Sequence, residues 1–313
     1  MTIYAIQTAR LSKRYGNQQV LSNVSLHVRQ GEVYGLLGAA NAGKTTLLRV
    51  LTGLVRPSSG EIALFDQPMQ GHAPALLKRI GALIGTPNFY EHLSVAENLD
   101  LHANYLGYYN RNALNDSLER FRLGDVRDTP VRKLALDQKQ RLALARATFT
   151  QPELLLLDQP VNGLDPFGIR DLRQLLRQLN QEFGTTILLA GHLLNEIEQL
   201  ADTIGVLKNG ALIEEVALDT LRSAPTVYIE IVTSEPSRAC FVLEQQLAIR
   251  QFRLHDEKRL RIYDTERDAN QILRALVLQD IPIELFQQRT QTLEEYILQL
   301  SHEGRRDAAV DAA

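Results

Sequence analysis

Cysteine is almost missing from this chain. A single Cys240 in 313 residues excludes an internal disulfide framework and fits a reducing compartment. No cluster of Cys and His with metal-ligand spacing occurs either. Excess charge of one sign is also lacking: 34 Lys and Arg against 37 Asp and Glu leave a net charge of −3, so nothing points to a general affinity for nucleic acid or anionic membrane. Long hydrophobic runs are absent, since a stretch such as Leu154–Leu157 falls far short of the ~20 apolar residues that span a bilayer. The opening MTIYAIQTARL does not have the charged-then-apolar layout of a signal peptide. A role at a membrane therefore requires docking onto another polypeptide. What remains is ordinary for a soluble globular protein, with 44% apolar and 23% charged residues, and the length suits one large domain plus a smaller one.

Against that plain background one stretch stands out: Gly38-Ala39-Ala40-Asn41-Ala42-Gly43-Lys44-Thr45-Thr46. An apolar run, Val33 to Leu37, precedes it, and a helical pattern of Leu47, Leu48, Val50, Leu51 and Leu54 follows. Strand, G-x-x-x-x-G-K-T and helix in that order are the context of a phosphate-binding P-loop. Backbone N–H groups at the helix start would point at phosphate oxygens, and the helix dipole favours negative charge there. Lys44 would reach the β- and γ-phosphates, and the Thr45 hydroxyl would sit on magnesium.

Residues 1–30 read as two β segments joined at the turn-like Tyr15-Gly16-Asn17-Gln18. Strands follow at 33–37, 61–65 and 80–84, with a helix over 44–54. From about 94 to 149 the apolar spacing is helical, too long for a single crossover, so a helical subdomain is expected over about 86–150. Strands return at 154–157, 186–189 and 203–207, separated by helices. This alternation predicts an α/β fold with a parallel sheet covered on both faces. Composition shifts near 223–226. Beyond it the order β-α-β-β-α-β predicts a small ferredoxin-like α+β domain over 226–301, closing with an amphipathic helix at 291–301 and a disordered tail at 302–313. The charged run 253–267 reads as a solvated hairpin rather than a nucleic-acid surface.

Leu154–Asp158 is an apolar strand ending in a carboxylate, the form of a Walker B segment. Gly38 and Asp158 would then lie together beyond the carboxyl ends of the strands, where open parallel sheets bind ligands, and Asp158 would help hold magnesium. With these motifs in hand, residues 1–222 resemble the ATP-binding subunit of ABC transporters. Val161-Asn162-Gly163-Leu164-Asp165-Pro166 is similar to the D-loop, and Gln138-Lys139-Gln140-Arg141-Leu142-Ala143 resembles the helix behind the signature motif. The resemblance puts an adenine-stacking aromatic at Tyr15, the phosphate cradle at Gly38, Asn41, Ala42, Gly43, Lys44, Thr45 and Thr46, and the switch histidine at His192. Leu293-Glu294-Glu295-Tyr296-Ile297-Leu298 resembles the bacitracin- and lantibiotic-export branch. ATP and Mg²⁺ as ligands, a facing second ATPase domain, a multi-spanning permease and a peripheral place on the cytoplasmic face of the membrane are what the resemblance implies.

The chain departs from the family pattern at catalytic positions. Gln159 stands where the family carries a glutamate, and losing a general base costs ~10²–10⁴ in rate. The signature reads Leu134-Ala135-Leu136-Asp137-Gln138, so Ala135 offers no hydroxyl. Asp137 would act as an N-cap, competing with phosphate for the same N–H groups; a carboxylate ~4 Å from a phosphate charge repels it by roughly 4 kcal/mol at a dielectric near 20. Gly85 replaces the Q-loop residue. Asn41 replaces a P-loop glycine, but asparagine tolerates the left-handed conformation. An ATP-binding exporter subunit with slow or absent hydrolysis is the reading that follows. The alternative is a non-hydrolysing module that regulates a membrane complex. A soluble ABC protein of translation or repair would carry two ATPase domains or long coiled coils, and a GTPase would carry Asn-Lys-x-Asp; neither pattern is present.

Overall fold

The computed structural model describes residues 3–69, 73–108, 110, 112–192, 194–223, 227–264 and 267–297. The chain divides into two compact units that meet between Leu218 and Asp219. The first begins with β1 (Tyr4–Tyr15), β2 (Gln18–Val24) and β3 (His27–Arg29), then β4 (Val33–Leu37) and α1 (Lys44–Leu51). Next come β5 (Ser59–Leu64), β6 (Gln67–Pro68), the short α2 (Pro74–Leu77) and β7 (Ile80–Leu83). The segment before residue 30 therefore holds three strands where the sequence pattern suggested two, because the chain turns again at Ser25-Leu26. These strands pair with β5 and β6 in an antiparallel sheet of their own. Burial alternates over Ile6–Ala9 of β1 and Ile62–Leu64 of β5, as an antiparallel sheet with one wet face requires, and irregular register breaks the pattern further along β1.

The helical stretch resolves into α3 (Val95–Leu106), α4 (Ala113–Arg120) and α5 (Leu136–Thr148). Ser94 and Glu97 form a reciprocal capping box that starts α3, and Gly107, left-handed at φ 65, ends it. The main sheet then continues with β8 (Leu154–Asp158), α6 (Pro166–Phe183), β9 (Thr186–Gly191), α7 (Leu194–Glu198), β10 (Thr203–Lys208) and β11 (Ala211–Ala217), followed by α8 (Leu218–Ser223). Its strand order is β11-β10-β4-β9-β8-β7. Every neighbouring pair is parallel except β10 and β11; β11 is an antiparallel edge that strand–helix alternation alone does not reveal.

β4 and β8 are buried along their whole length, which is why both read as unbroken apolar runs. Leu154, Leu156 and Leu188 pack with Leu47, Leu48 and Leu51 of α1 on one face of the sheet. Leu155, Leu157 and Leu189 pack on the other face with Leu142 of α5 and Leu172, Leu176 and Leu179 of α6. At ~25 cal/mol per Å² of apolar surface, these fully buried leucines are each worth about 1.5–3 kcal/mol. The consequence for function is positional: the carboxyl ends of β4, β8 and β9 emerge side by side.

The second unit contains β12 (Val227–Thr233), α9 (Pro236–Leu247), β13 (Phe252–Leu254), β14 (Arg259–Ile262), α10 (Ala269–Leu278) and β15 (Ile283–Thr290). The order is β-α-β-β-α-β, and the sheet β13-β14-β12-β15 is antiparallel throughout. Ile229, Ile231, Leu260 and Ile262 bury one face with Val242 and Leu243 of α9 and Ile272 and Leu276 of α10. The alternate positions carry a polar network. Glu230, almost fully buried, lies 3.4 Å from Arg261 and 3.6 Å from Arg289. Arg261 also meets Glu295 at 3.1 Å, and the Tyr228 hydroxyl donates to Glu295 at 2.9 Å. Residues 293–297 form the start of the expected last helix; its remainder and the 302–313 tail lie outside the described residues. Among the described residues no helix is long and apolar enough to cross a membrane.

Candidate functional site

The site starts where β4 stops. Gly38 leaves the strand so close to β10 that a Cβ would stand 2.4 Å from the Leu207 carbonyl oxygen. Asn41 is left-handed at φ 65, as its replacement of a glycine anticipates. Gly43 has φ 107, and a Cβ there would meet Leu21 Cδ2 and Val20 O, both at 2.9 Å. The loop is tied down by Ala42 N–H bonding Ala39 O at 3.2 Å and by Gly210 N–H bonding Ala42 O at 3.0 Å. No side chain caps α1, so the N–H groups of its first turn, from Lys44 through Thr46, are left without intrahelical acceptors. This is an anion cradle built from backbone.

Lys44 is 4% exposed and folds back under the loop. Its Nζ donates to Gly38 O at 2.6 Å and Ala39 O at 2.9 Å. Burial pulls its pKa below the ordinary lysine value, and the Asp158 charge opposes that. Thr45 Oγ1 donates to Asp158 Oδ2 at 2.6 Å. Asp158 is 6% exposed, and its second carboxylate oxygen, Oδ1, is buried without a partner. A buried unpaired carboxylate oxygen costs about 1–3 kcal/mol or more. A hydroxyl and a carboxylate are hard oxygen donors suited to Mg²⁺, and the unpartnered oxygen is the observation that such an ion fits. Among the described residues no group of three or more His, Cys, Asp or Glu could hold a metal by itself; waters and phosphate would complete such a shell.

Gln159 follows at φ 49, a left-handed backbone for a non-glycine residue. Its N–H bonds Ala190 O on β9 at 2.8 Å, and its side-chain Oε1 accepts from Asn162 Nδ2 at 2.6 Å. Gln159, Asn162 and the exposed His192 line one pocket at the ends of β8 and β9. The P-loop, Asp158, Gln159 and His192 therefore share one end of one sheet.

Tyr15, Gly85 and the signature segment are the remaining sequence candidates. Tyr15 ends β1 half exposed, with Lys13 Nζ 4.8 Å above its ring. Gly85 is exposed just past β7 at φ 66. In the signature segment the expectation for Asp137 fails. Ala135 is the N-cap residue, and Asp137 lies inside the first turn of α5, 4.0 Å from Arg141 Nε. The reason is local: the Gln138 side chain reaches back to the Ala135 N–H at 3.0 Å, which fixes the helix start two residues before Asp137. Asp137 therefore does not occupy the capping N–H groups, although its charge stays in the first turn.

Two contacts escaped the sequence reading. Gln140 Nε2, buried on α5, donates to Pro160 O at 2.8 Å, and a Cβ on Gly163 would stand 2.9 Å from Leu136. Both bind the start of α5 to the loop after Asp158. Nothing in spacing marks them, because they join segments twenty or more residues apart. A half-buried cation, Arg146, also donates to Asn88 O at 2.7 Å and lies 4.7 Å from the Phe89 ring, near His102.

Comparison with known proteins agrees with this geometry. The family model described as ABC transporter matches residues 21–162. YcbN, an ABC transporter ATP-binding protein of Bacillus subtilis (strain 168), is 46% identical over 297 residues, covering 95% of this chain and 97% of its own. The bacitracin transport ATP-binding protein BcrA of Bacillus licheniformis is 36% identical, covering 94% and 96%. Among solved structures, the dimeric post-hydrolysis state of the ATP-binding cassette MJ0796 bound to ADP and phosphate superposes with a TM-score of 0.62 at 26% identity, covering 68% of this chain and 98% of that one. With the P-loop, the Thr45–Asp158 pair and full-length similarity in agreement, this chain belongs to the ABC transporter ATP-binding family.

Proposed function

We propose that this chain is the ATP-binding subunit of an ABC exporter and acts as a slow, nucleotide-gated clamp. ATP would lie on the Gly38–Thr46 cradle with Lys44 against its terminal phosphates and Tyr15 against adenine. Thr45 and Asp158 would hold Mg²⁺, which when bound supplies charge neutralisation of the phosphates. Ala135, Asp137 and Gln138 of a facing second ATPase domain would close over the γ-phosphate. Closure would drive a separate multi-spanning permease from the cytoplasmic face of the membrane. BcrA carries bacitracin transport in its name, and an amphiphilic peptide of that kind is the cargo class we favour.

The observation that carries the reading is the contrast between residues 158 and 159. Asp158 is buried against Thr45 with an oxygen to spare, which suits ion binding. Gln159 presents an amide, which cannot take a proton from the attacking water. His192 could contact the γ-phosphate but does not replace a carboxylate base at that place. Binding should therefore outlast hydrolysis. In a homodimer both composite sites would lack the base; in a heterodimer Gln159 would weaken one site and the Ala135–Gln138 segment the other.

The test is single-turnover and steady-state ATP hydrolysis by the wild-type chain and by Gln159→Glu, with and without membranes carrying the permease. Tight Mg-ATP binding, little hydrolysis, and a gain of ten-fold or more in Gln159→Glu would support a motor held at a slow step. Wild-type turnover equal to that of Gln159→Glu would overturn the reading. A soluble, permease-free partner set in an ATP-loaded pull-down would favour a regulatory module instead.

A further inference from the structure

Gln159 has two ends, and the structure gives one of them away. Its Oε1 accepts a 2.6 Å hydrogen bond from Asn162 Nδ2. Its backbone is fixed on both sides: its N–H bonds Ala190 O at 2.8 Å, and its C=O accepts from the Asn162 N–H at 3.1 Å. The loop that carries Asn162 is itself anchored. Gln140 Nε2 holds Pro160 O at 2.8 Å, Leu136 closes on Gly163, and Asp165 caps α6 through the Gly168 N–H at 2.7 Å. A side chain on a loop pinned at three points can impose an orientation on its neighbour.

With its oxygen held by Asn162, the carboxamide presents its two N–H groups as the donors it can offer a ligand. We propose that Asn162 is a positioning residue that turns the Gln159 carboxamide so that its two N–H groups face the nucleotide's terminal phosphate. Residue 159 then joins Lys44 and the first-turn amides of α1 as a donor to the γ-phosphate, and the Asn162–Gln159 pair favours a nucleoside triphosphate over a diphosphate. This inference rests on the reading of the site as a nucleotide clamp. It adds that the amide at 159 is a retention device whose orientation is set by a second residue.

The experiment measures the affinities of the full chain for ADP and for a slowly hydrolysed ATP analogue, ATPγS, both with Mg²⁺, in the wild type, Asn162→Ala, Asn162→Asp, Gln159→Leu and the Asn162→Ala/Gln159→Leu double variant. A lost neutral hydrogen bond is worth about five-fold, or about 1 kcal/mol at 1.4 kcal/mol per decade. Asn162→Ala should therefore lower the triphosphate-to-diphosphate affinity ratio about five-fold, leaving ADP affinity and melting temperature unchanged. Asn162→Asp should lower it at least as far, because an aspartate accepts from the Gln159 N–H groups and draws them away from phosphate. Gln159→Leu should lower it about ten-fold, and the double variant should be no worse than Gln159→Leu alone. An unchanged ratio in both Asn162 variants, an unchanged ratio in Gln159→Leu, or additive losses in the double variant would each overturn the inference while leaving ordinary ADP binding, and with it the clamp, in place. A wild-type chain that bound neither nucleotide would overturn the clamp reading and this inference together.

Discussion

Substituting Asp158 by asparagine separates two roles that one carboxylate combines. In the free chain Asp158 is nearly a balanced liability. One oxygen takes a 2.6 Å bond from Thr45, worth about 1.5–3 kcal/mol as a bond to a charged group. The other is buried and unpaired, which costs about 1–3 kcal/mol. Asparagine keeps an acceptor for Thr45 and removes the buried charge, at the expense of the counter-charge that Lys44 feels. The unliganded Asp158→Asn chain should therefore melt within about 1 kcal/mol of the wild type, a few degrees for a unit of this size. With nucleotide the sign changes. At a concentration a hundred times its Kd, ATP with Mg²⁺ should stabilise the wild type by about 2.7 kcal/mol. A ten-fold weaker variant retains about 1.4 kcal/mol, and EDTA should erase the difference between the two chains. Thermal unfolding with and without Mg-ATP and EDTA reads all four corners. Loss of several kcal/mol in the unliganded variant, or full retention of the Mg²⁺-dependent increment, would refute the assignment of the unpaired oxygen to a bound ion.

Two further perturbations test the electrostatics away from the loop. The His102 pKa is pushed down to about 4, first by burial and then by the Arg146 charge, against a hydrogen bond that the ring donates to the Arg146 backbone. A lowered histidine pKa means that the unfolded chain protonates first, so stability is full above about pH 6.5 and falls as pH drops towards 4. With the group partly exposed, the loss should be about 1–2 kcal/mol after screening, and His102→Gln should remove that slope in a urea titration run from pH 7 to pH 4.5. In the second unit, Arg261→Met would strip the almost fully buried Glu230 of its nearer cation and should cost about 3–5 kcal/mol. Pairing it with Glu230→Leu should recover most of that loss in denaturant unfolding.

How far the fold was legible depends on the kind of contact. β4 and β8 could be read because both of their faces are buried, so their sequences are unbroken apolar runs. The hairpin at Gly16-Asn17 could be read from its turn residues, and Asn41 from its tolerance of a positive φ. β11 could not, because an antiparallel edge strand with mixed exposure, Ala211–Ala217, has no distinctive period. The start of α5 was misjudged for a similar reason. Asp137 looked like a cap by composition, but the cap position is decided by Gln138 reaching back to Ala135, a competition between neighbours that residue preference does not rank. The site divides in the same way: the cradle is local in sequence, whereas the Thr45–Asp158, Gln159–Ala190 and Gln140–Pro160 contacts depend on strand order.

Backbone conformation also decides which of the departures from the family pattern a single substitution can reverse. At residue 159 the chain already holds φ 49 with a long side chain, so glutamate inherits a conformation that is in place. Gln159→Glu should fold within about 0.5 kcal/mol of the wild type. Gly85 is different. Space is no obstacle there, since an added Cβ would meet only Arg49 Nη2 at 3.7 Å. Its φ of 66 is the obstacle, because a non-glycine residue pays about 1–2 kcal/mol in the left-handed region. Gly85→Gln should therefore destabilise the chain by about 1 kcal/mol, and Gly85→Ala by the same amount, since the cost lies in the backbone and not in the amide. If Gly85→Gln were neutral while Gly85→Ala was costly, the glutamine would be making a compensating contact, and strain would not be what separates residue 85 from the family pattern. Equal losses would mean that a side chain at residue 85 is accommodated only if the segment after β7 moves, whereas residue 159 accepts glutamate with its backbone in place.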